Sequence, residues 1–240
     1  MTWPAIPWSQ VPAIPSSVVR DADRRARDEY GIEPLQLMEI AGWQIARVVQ
    51  TLVNGGSGRR VLVVAGSGNN GGDALVAARL LHQRGARVTV SIVPSRNPSS
   101  LSVRHTVTIE RLGIELSPAP AGIDRAADVI VDGLLGTGIR PPLREPAPAV
   151  IAAMQQQEAP IVAVDVPSGM DADTGAGAEA AVRAAATVTL ATAKPALATT
   201  ANAGRVFLAD IGMPAAVFAD HRDAIAAIYR RGDLVELVAG

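Results

Sequence analysis

Cysteine is absent from all 240 residues, which excludes disulfides, thiolate metal sites and a cysteine nucleophile. Lysine is nearly absent: of the 22 basic residues only Lys194 is a lysine. Where arginine serves as the general cation, a lone lysine marks a place suited to a compact ammonium group. Aromatic residues make up 3% and charged residues 19%, and the formal net charge is −1, so no global field favours nucleic acid or an anionic membrane surface. The longest apolar runs are far too short to span a bilayer, and no signal-like segment stands out. These absences predict a cytoplasmic protein whose partner is a small molecule, with no nucleic acid and no membrane involved. What is abundant is hydrophobic side chain, 48% of the total, enough for one large core in a single α/β domain.

Residues 1–16 carry Trp3, Trp8 and four prolines, too many for a helix, and are expected to form an extended Trp/Pro-rich arm lying on the body or on a neighbouring subunit, with a disordered tail as the alternative. Helical periodicity begins at Ser16 and stops at Gly31, with a Val19/Ala22/Ala26 stripe. A second helix follows Pro34, its Leu37, Ile40, Ala41, Ile45, Val48 and Val49 on one face. Beyond it, unbroken apolar runs at 61–65, 88–93, 128–135 and 160–166 alternate with helix-like segments at 72–84, 101–112 and 146–157. Two β-rich pieces at 186–193 and 204–211 follow. Runs that are apolar without alternation belong to strands covered on both faces, so the predicted fold is α/β: a Rossmann-like three-layer sandwich, its sheet mostly parallel, with helices on both faces.

Ligands of such sheets bind at the carboxyl ends of the strands. Three polar, Gly-rich loops fall there: GSGNNGGD (66–73), DGLLGTGIRPP (132–142) and DVPSGMDADTG (165–175). The first contains a G-x-G-x-x-G match between a strand and a helix, glycines that let a phosphate approach bare backbone. No carboxylate follows at the distance a dinucleotide fingerprint requires; Arg96 stands there instead, able to meet a 2′-phosphate. No Gly-Lys-Ser/Thr follows, which excludes a Walker loop, and His82, His105 and His221 read as ordinary surface or helix residues, so Ser-His-Asp catalysis is not expected. Asp165 ends an otherwise apolar strand, a costly place for a carboxylate unless it is paired or functional. Asn70, Asp132 and Ser168 offer hard oxygen donors with a single carboxylate, a set that suits a monovalent cation better than zinc. Helix capping by Asn69 and Asn70, complementing of the helix dipole by Asp73 and a turn-forming role for Asp132 are the plainer alternatives.

The ordered motifs V-V-A-G-x-G-N-N-G-G-D, D-x-L-L-G-T-G and A-V-D-V-P-S-G-x-x-A-D-T-G resemble the NAD(P)H-hydrate epimerase family, that is, the YjeF N-terminal domain. The likeness extends over about 17–214, leaving 215–240 as a C-terminal helix and tail that looks like the remnant of a linker to a dehydratase domain. The resemblance implies interconversion of the R and S epimers of hydrated NADH or NADPH at nicotinamide C6, usually by a homodimer. An ADP- or ATP-dependent dehydratase would be the functional partner. It further implies one potassium ion per subunit on Asn70, Asp132 and Ser168, and substrate contacts from Asn69, Asn70, Gly71, Gly72, Asp73, Gly136, Thr137, Gly138, Ile139, Arg140, Pro141, Pro142 and Asp165. Asp165 is the candidate general acid and base, and Lys194 is either a contact of the substrate phosphates or an ordinary surface lysine. Ser67 and Ala196 depart from the usual proline and glycine. An NADP-dependent oxidoreductase using GSGNNG and Arg96, and a non-catalytic nucleotide-binding or scaffold protein, are the alternatives.

Overall fold

The run RVLVVA, all buried after its first residue, is the central strand of a nine-stranded sheet, and its alternating side chains feed two different cores. The structure is a computed structural model describing residues 3–124 and 126–240; the first two residues of the expected 1–16 arm lie outside the described residues. In chain order the elements are β1 (Ala5–Pro7), α1 (Ser16–Tyr30), α2 (Pro34–Leu52), β2 (Arg60–Ala65), α3 (Asn69–Gln83), β3 (Arg87–Ile92), α4 (Ser100–Arg111), β4 (Glu115–Pro118), β5 (Val129–Gly133), α5 (Ala147–Gln155), β6 (Ile161–Val164), β7 (Ala186–Leu190), β8 (Arg205–Ala209), α6 (Arg222–Tyr229) and β9 (Leu234–Val238). Short 3-10 turns join several of them.

The strand order is β1-β9-β8-β7-β6-β5-β2-β3-β4, parallel throughout except between β8 and β9. Val61, Val63 and Ala65 face one way, into a core with Ala22 of α1, Ile45 of α2, Leu75 of α3 and Ile109 of α4. Leu62 and Val64 face the other way, against Val150, Ile151 and Met154 of α5. This is the predicted three-layer α/β sandwich. From β2 the chain runs outward through β3 and β4, then returns to lay β5 on the other flank of β2. The carboxyl ends of β2 and β5 therefore border the switch point where open sheets of this kind hold their ligands.

The structure adds elements that the sequence pattern does not announce. β4 is a four-residue, partly exposed edge strand without an apolar run. β9, in the stretch expected as helix and tail, pairs antiparallel with β8 and parallel with β1, so the described part of the arm contributes a strand to the sheet. Ile6 and Ile14 of the arm are buried. Helix α3 starts at Asn69, three residues before the predicted 72, although Asn-Asn-Gly-Gly is a poor helix former. Packing overrides propensity there: a Cβ on Gly71 would sit 1.9 Å from the Gly66 carbonyl oxygen, and one on Gly72 would sit 2.7 Å from the Met38 side chain.

Candidate active site

A cavity of about 690 Å³ opens over the switch point, within the size range of small-molecule sites. The turn after β2 and the turn after β5 are tied by the Gly66 N–H donating to the Gly133 carbonyl at 3.0 Å. Gly66 has no room for a side chain, since a Cβ would stand 1.9 Å from the Leu134 carbonyl oxygen. Opposite walls come from Val19, Arg20 and Asp23 of α1 and from Leu37 and Met38 of α2. Helix α1 is anchored by the third loop, where the Asp173 carboxylate accepts from the backbone N–H and the hydroxyl of Ser16, at 2.8 and 2.7 Å.

Asn69, Asn70, Asp73, Gly136, Thr137, Gly138, Ile139, Asp165 and Lys194 all line this cavity. Gly71, Gly72, Asp132 and Ser168 stand behind the lining, and Arg140, Pro141 and Pro142 lie outside it. The Arg140 guanidinium donates to the buried Asp171 carboxylate at 2.6 Å, clamping the second loop to the third. Arg96 is exposed and is not part of the cavity wall. His105 is a buried residue of α4 whose imidazole is lowered by desolvation, and no histidine reaches the cavity. The sequence did not single out Asp23, because nothing in a helix rich in Asp and Arg marks one carboxylate as facing a cleft.

The oxygen donors converge on the turn after β5. Asp132 is fully buried; its carboxylate accepts from the Ser168 hydroxyl at 2.6 Å, the Ser168 N–H at 2.9 Å and the Leu134 N–H at 3.2 Å. Asn70 donates to the Leu135 carbonyl at 3.1 Å, and the same carbonyl lies 3.1 Å from the Ser168 oxygen. Burial pushes the Asp132 carboxyl up to about 6, against the lowering effect of those hydrogen bonds. Every group that touches it is neutral, so a buried anion lacks a counter-charge, and the donors around it are all hard oxygens. The chemistry of this set fits an alkali cation. Among the described residues no group of three His, Cys, Asp or Glu could hold a divalent metal.

Asp165 sits at the end of β6 with φ at 65°, a left-handed conformation that Asp tolerates better than most residues. Its Oδ1 accepts from the Lys194 ammonium, from the Leu190 N–H at 3.0 Å and from the Thr189 hydroxyl at 3.5 Å. Oδ2 makes no hydrogen bond among the described residues, and Asp165 is part of the cavity wall. Lys194 is fully buried and also donates to the Leu190 carbonyl at 2.7 Å. The only lysine of the chain is thus an internal counter-ion to the acid at the strand end. One oxygen is fixed and the other is free to meet a ligand.

A second concavity, about 570 Å³, lies between Trp43, Arg47, Asn54 and Arg84 with the Arg84 guanidinium 4.0 Å over the Trp43 ring. It opens at the amino ends of the strands, away from the Gly-rich loops, and gathers no carboxylate.

Comparison with known proteins agrees with the motif order. Residues 34–196 match the family model described as YjeF-related protein N-terminus. The chain is 38% identical over 202 residues to the NAD(P)H-hydrate epimerase of Limosilactobacillus fermentum, covering 82% of this chain and 96% of that one. It is 43% identical over 181 residues to the bifunctional NAD(P)H-hydrate repair enzyme Nnr of Pyrobaculum aerophilum, covering 72% of this chain but 36% of that protein. The corresponding protein of Salinibacter ruber is 36% identical over 222 residues, with 41% of its length covered, so the chain spans only about two fifths or less of these bifunctional relatives. Among solved structures, the yeast protein ynu0 (YNL200c) superposes with a TM-score of 0.77 at 26% identity, covering 88% of this chain and 93% of that one. No described helix is long and apolar enough to cross a membrane. The sheet order, the switch-point cavity and these matches place the chain in the YjeF-related protein N-terminus family.

Proposed function

We propose that this chain is an NAD(P)H-hydrate epimerase, interconverting the R and S forms of hydrated NADH or NADPH at C6 of the nicotinamide ring. The observation that carries the reading is Asp165 in the wall of a glycine-lined cavity, with one of its oxygens held by the buried Lys194. A near full-length relative bearing the epimerase name supports it. The C6 hydroxyl is part of a carbinolamine. Protonating it lets the ring nitrogen lone pair expel water and leaves a planar iminium carbon, which water can re-enter from either face. A carboxyl group positioned at that carbon supplies and recovers the proton. The turn amides around Gly68 and Gly136 leave room for the nucleotide backbone. Arg96, exposed and outside the cavity, gives the oxidoreductase alternative no 2′-phosphate contact.

A potassium ion on Asn70, Asp132 and Ser168 belongs to the same reading. It would supply the counter-charge that Asp132 lacks and stiffen the turn after β5. Homodimer formation is supported by Ile40 and Trp43 of α2 and Val103 and Val107 of α4, large apolar side chains left exposed, and sedimentation of the purified chain would read it. A dehydratase acting on the S epimer, in the cytoplasm, would complete the repair.

The test is chromatographic: a single separated epimer of hydrated NADPH is incubated with the chain and its conversion to the other is followed. Faster equilibration than in buffer is expected. Asp165→Asn, which keeps the left-handed backbone accessible, should lower the rate at least about 10²-fold. Unchanged turnover would remove Asp165 from the chemistry.

A further inference from the structure

Water leaves one face of the ring and returns on the other, and a second carboxyl group at the ring would serve the face that Asp165 does not. The cavity holds more than one. Asp23 from α1, Asp73 from α3, Asp165 from the end of β6 and Lys194 from the turn after β7 all line it. Lys194 is committed to Asp165 and to the Leu190 carbonyl, so the ammonium neutralises one carboxylate directly and leaves two. Asp73 is the more enclosed of these: it is 8% exposed, belongs to the cavity wall, and makes no hydrogen bond and no ion pair among the described residues. Nothing in the fold uses its carboxyl group. A buried acid without a partner is costly, and the absence of any structural return on that cost points to function.

We infer that Asp73 is a second acid–base residue of the reaction, facing Asp165 across the substrate so that the two carboxyl groups share one proton between opposite faces of the nicotinamide ring. This rests on the epimerase reading above and deepens it. In one direction the Asp73 carboxyl gives its proton to the C6 hydroxyl, the C–O bond breaks and water departs with the electron pair, while the nitrogen lone pair forms the C=N bond. A water molecule then adds at the other face, the C=N electrons return to nitrogen, and the proton released passes to Asp165. The reverse reaction uses the same two groups with roles exchanged. Each turnover leaves the proton on the opposite partner, so it must travel back.

The groups facing Asp73 suit this sharing. Its carboxyl is held well above the usual range, first by burial and then by the Asp165 and Asp23 carboxylates, with Lys194 opposing them. The remaining charged groups of the cavity lining, Arg20 of α1 and Arg144 of the loop after β5, are both exposed. Asp23 stays open to solvent at the mouth, yet the surrounding walls desolvate it enough to raise it to about 6, Lys194 working against the rise and Asp165 adding to it. That makes Asp23 a suitable exchange point through which the shared proton equilibrates with water.

The experiment compares the unmodified chain with Asp73→Asn and Asp23→Asn, following conversion of one separated epimer across pH. NADP+ affinity and thermal midpoint are measured on the same samples. Asp73→Asn should lose at least about 10²-fold in turnover, bind NADP+ within a few-fold of the parent and melt no lower, because the amide replaces a protonated carboxyl of the same shape. Asp23→Asn should lower turnover by less than Asp73→Asn does, since it slows proton return without touching the reacting atoms, and should alter the pH profile. An active parent with Asp73→Asn within threefold of it overturns the shared-proton role and leaves the epimerase reading intact. An Asp73→Asn chain that does not fold overturns it too, since the site would then require an anion. An inactive parent overturns the epimerase reading itself.

Discussion

Replacing Lys194 by methionine tests how the cavity tolerates its acids. The thioether chain is unbranched and nearly fills the space of the lysine stem, so what is lost is the ammonium. Its Leu190 acceptor keeps the Thr192 N–H at 2.7 Å and stays satisfied. Asp165 keeps the Leu190 N–H at 3.0 Å but loses its ion-pair partner, and Asp23 and Asp73 lose a charge that holds them down. Removing one partner of a buried pair costs about 3–5 kcal/mol. At roughly 2–4 °C per kcal/mol for a chain of this size, the midpoint should fall by about 6–20 °C near pH 8. The sign with pH follows from proton binding. Lys194 lowers both Asp23 and Asp73, so without it the folded state holds protons still more tightly than the unfolded chain, whose carboxyls titrate near 3.8. Stability of the variant must then decline as pH rises through those raised values, and its deficit should shrink toward about pH 4. Circular-dichroism melts of parent and Lys194→Met at several pH values read this directly. A midpoint within 2 °C of the parent near pH 8, with a parallel pH profile, would refute the internal counter-ion.

Gly66→Ala should destabilise by about 1–3 kcal/mol and weaken nucleotide binding, because the new methyl group must push apart the turns after β2 and β5; NADP+ titration and denaturant unfolding check both. Potassium should raise the thermal midpoint of the parent more than sodium does. Asp132→Asn should abolish that difference, and an unchanged ion preference in the variant would argue against the oxygen cluster as the cation site.

The sheet centre was legible because β2, β5 and β6 are buried on both faces, and burial of that kind leaves an unbroken apolar run in the sequence. The edges were not. β4 is half exposed and β1 is three residues that follow one proline and end in another, so neither has a periodicity to detect, and β9 reads as a short amphipathic tail until β8 is present to pair with it. The three Gly-rich loops were recognisable because close backbone approach demands glycine, and the cavity brings parts of all three together. The pairing of Lys194 with Asp165 was invisible, since 29 residues and a whole strand separate them and only the adjacency of β6 and β7 joins their ends. Lys194 was expected near phosphate or at the surface; its ammonium is occupied by Asp165 and Leu190 instead. Asp23 and the unpartnered state of Asp73 emerge only when α1 and α3 are docked on the sheet.

The pairing of Ala5 with Glu236 has a bearing on how the molecule is made. The middle of the sheet joins neighbours a few dozen residues apart and can assemble while synthesis is under way, but β1 has to wait for a mate that leaves the ribosome some 230 residues later. Until then Ile6 lacks its final packing, and a hydrophobic leading segment must remain unclaimed without sticking to other chains. The prolines flanking it, poor substrates for strand addition, serve as its guard during that interval.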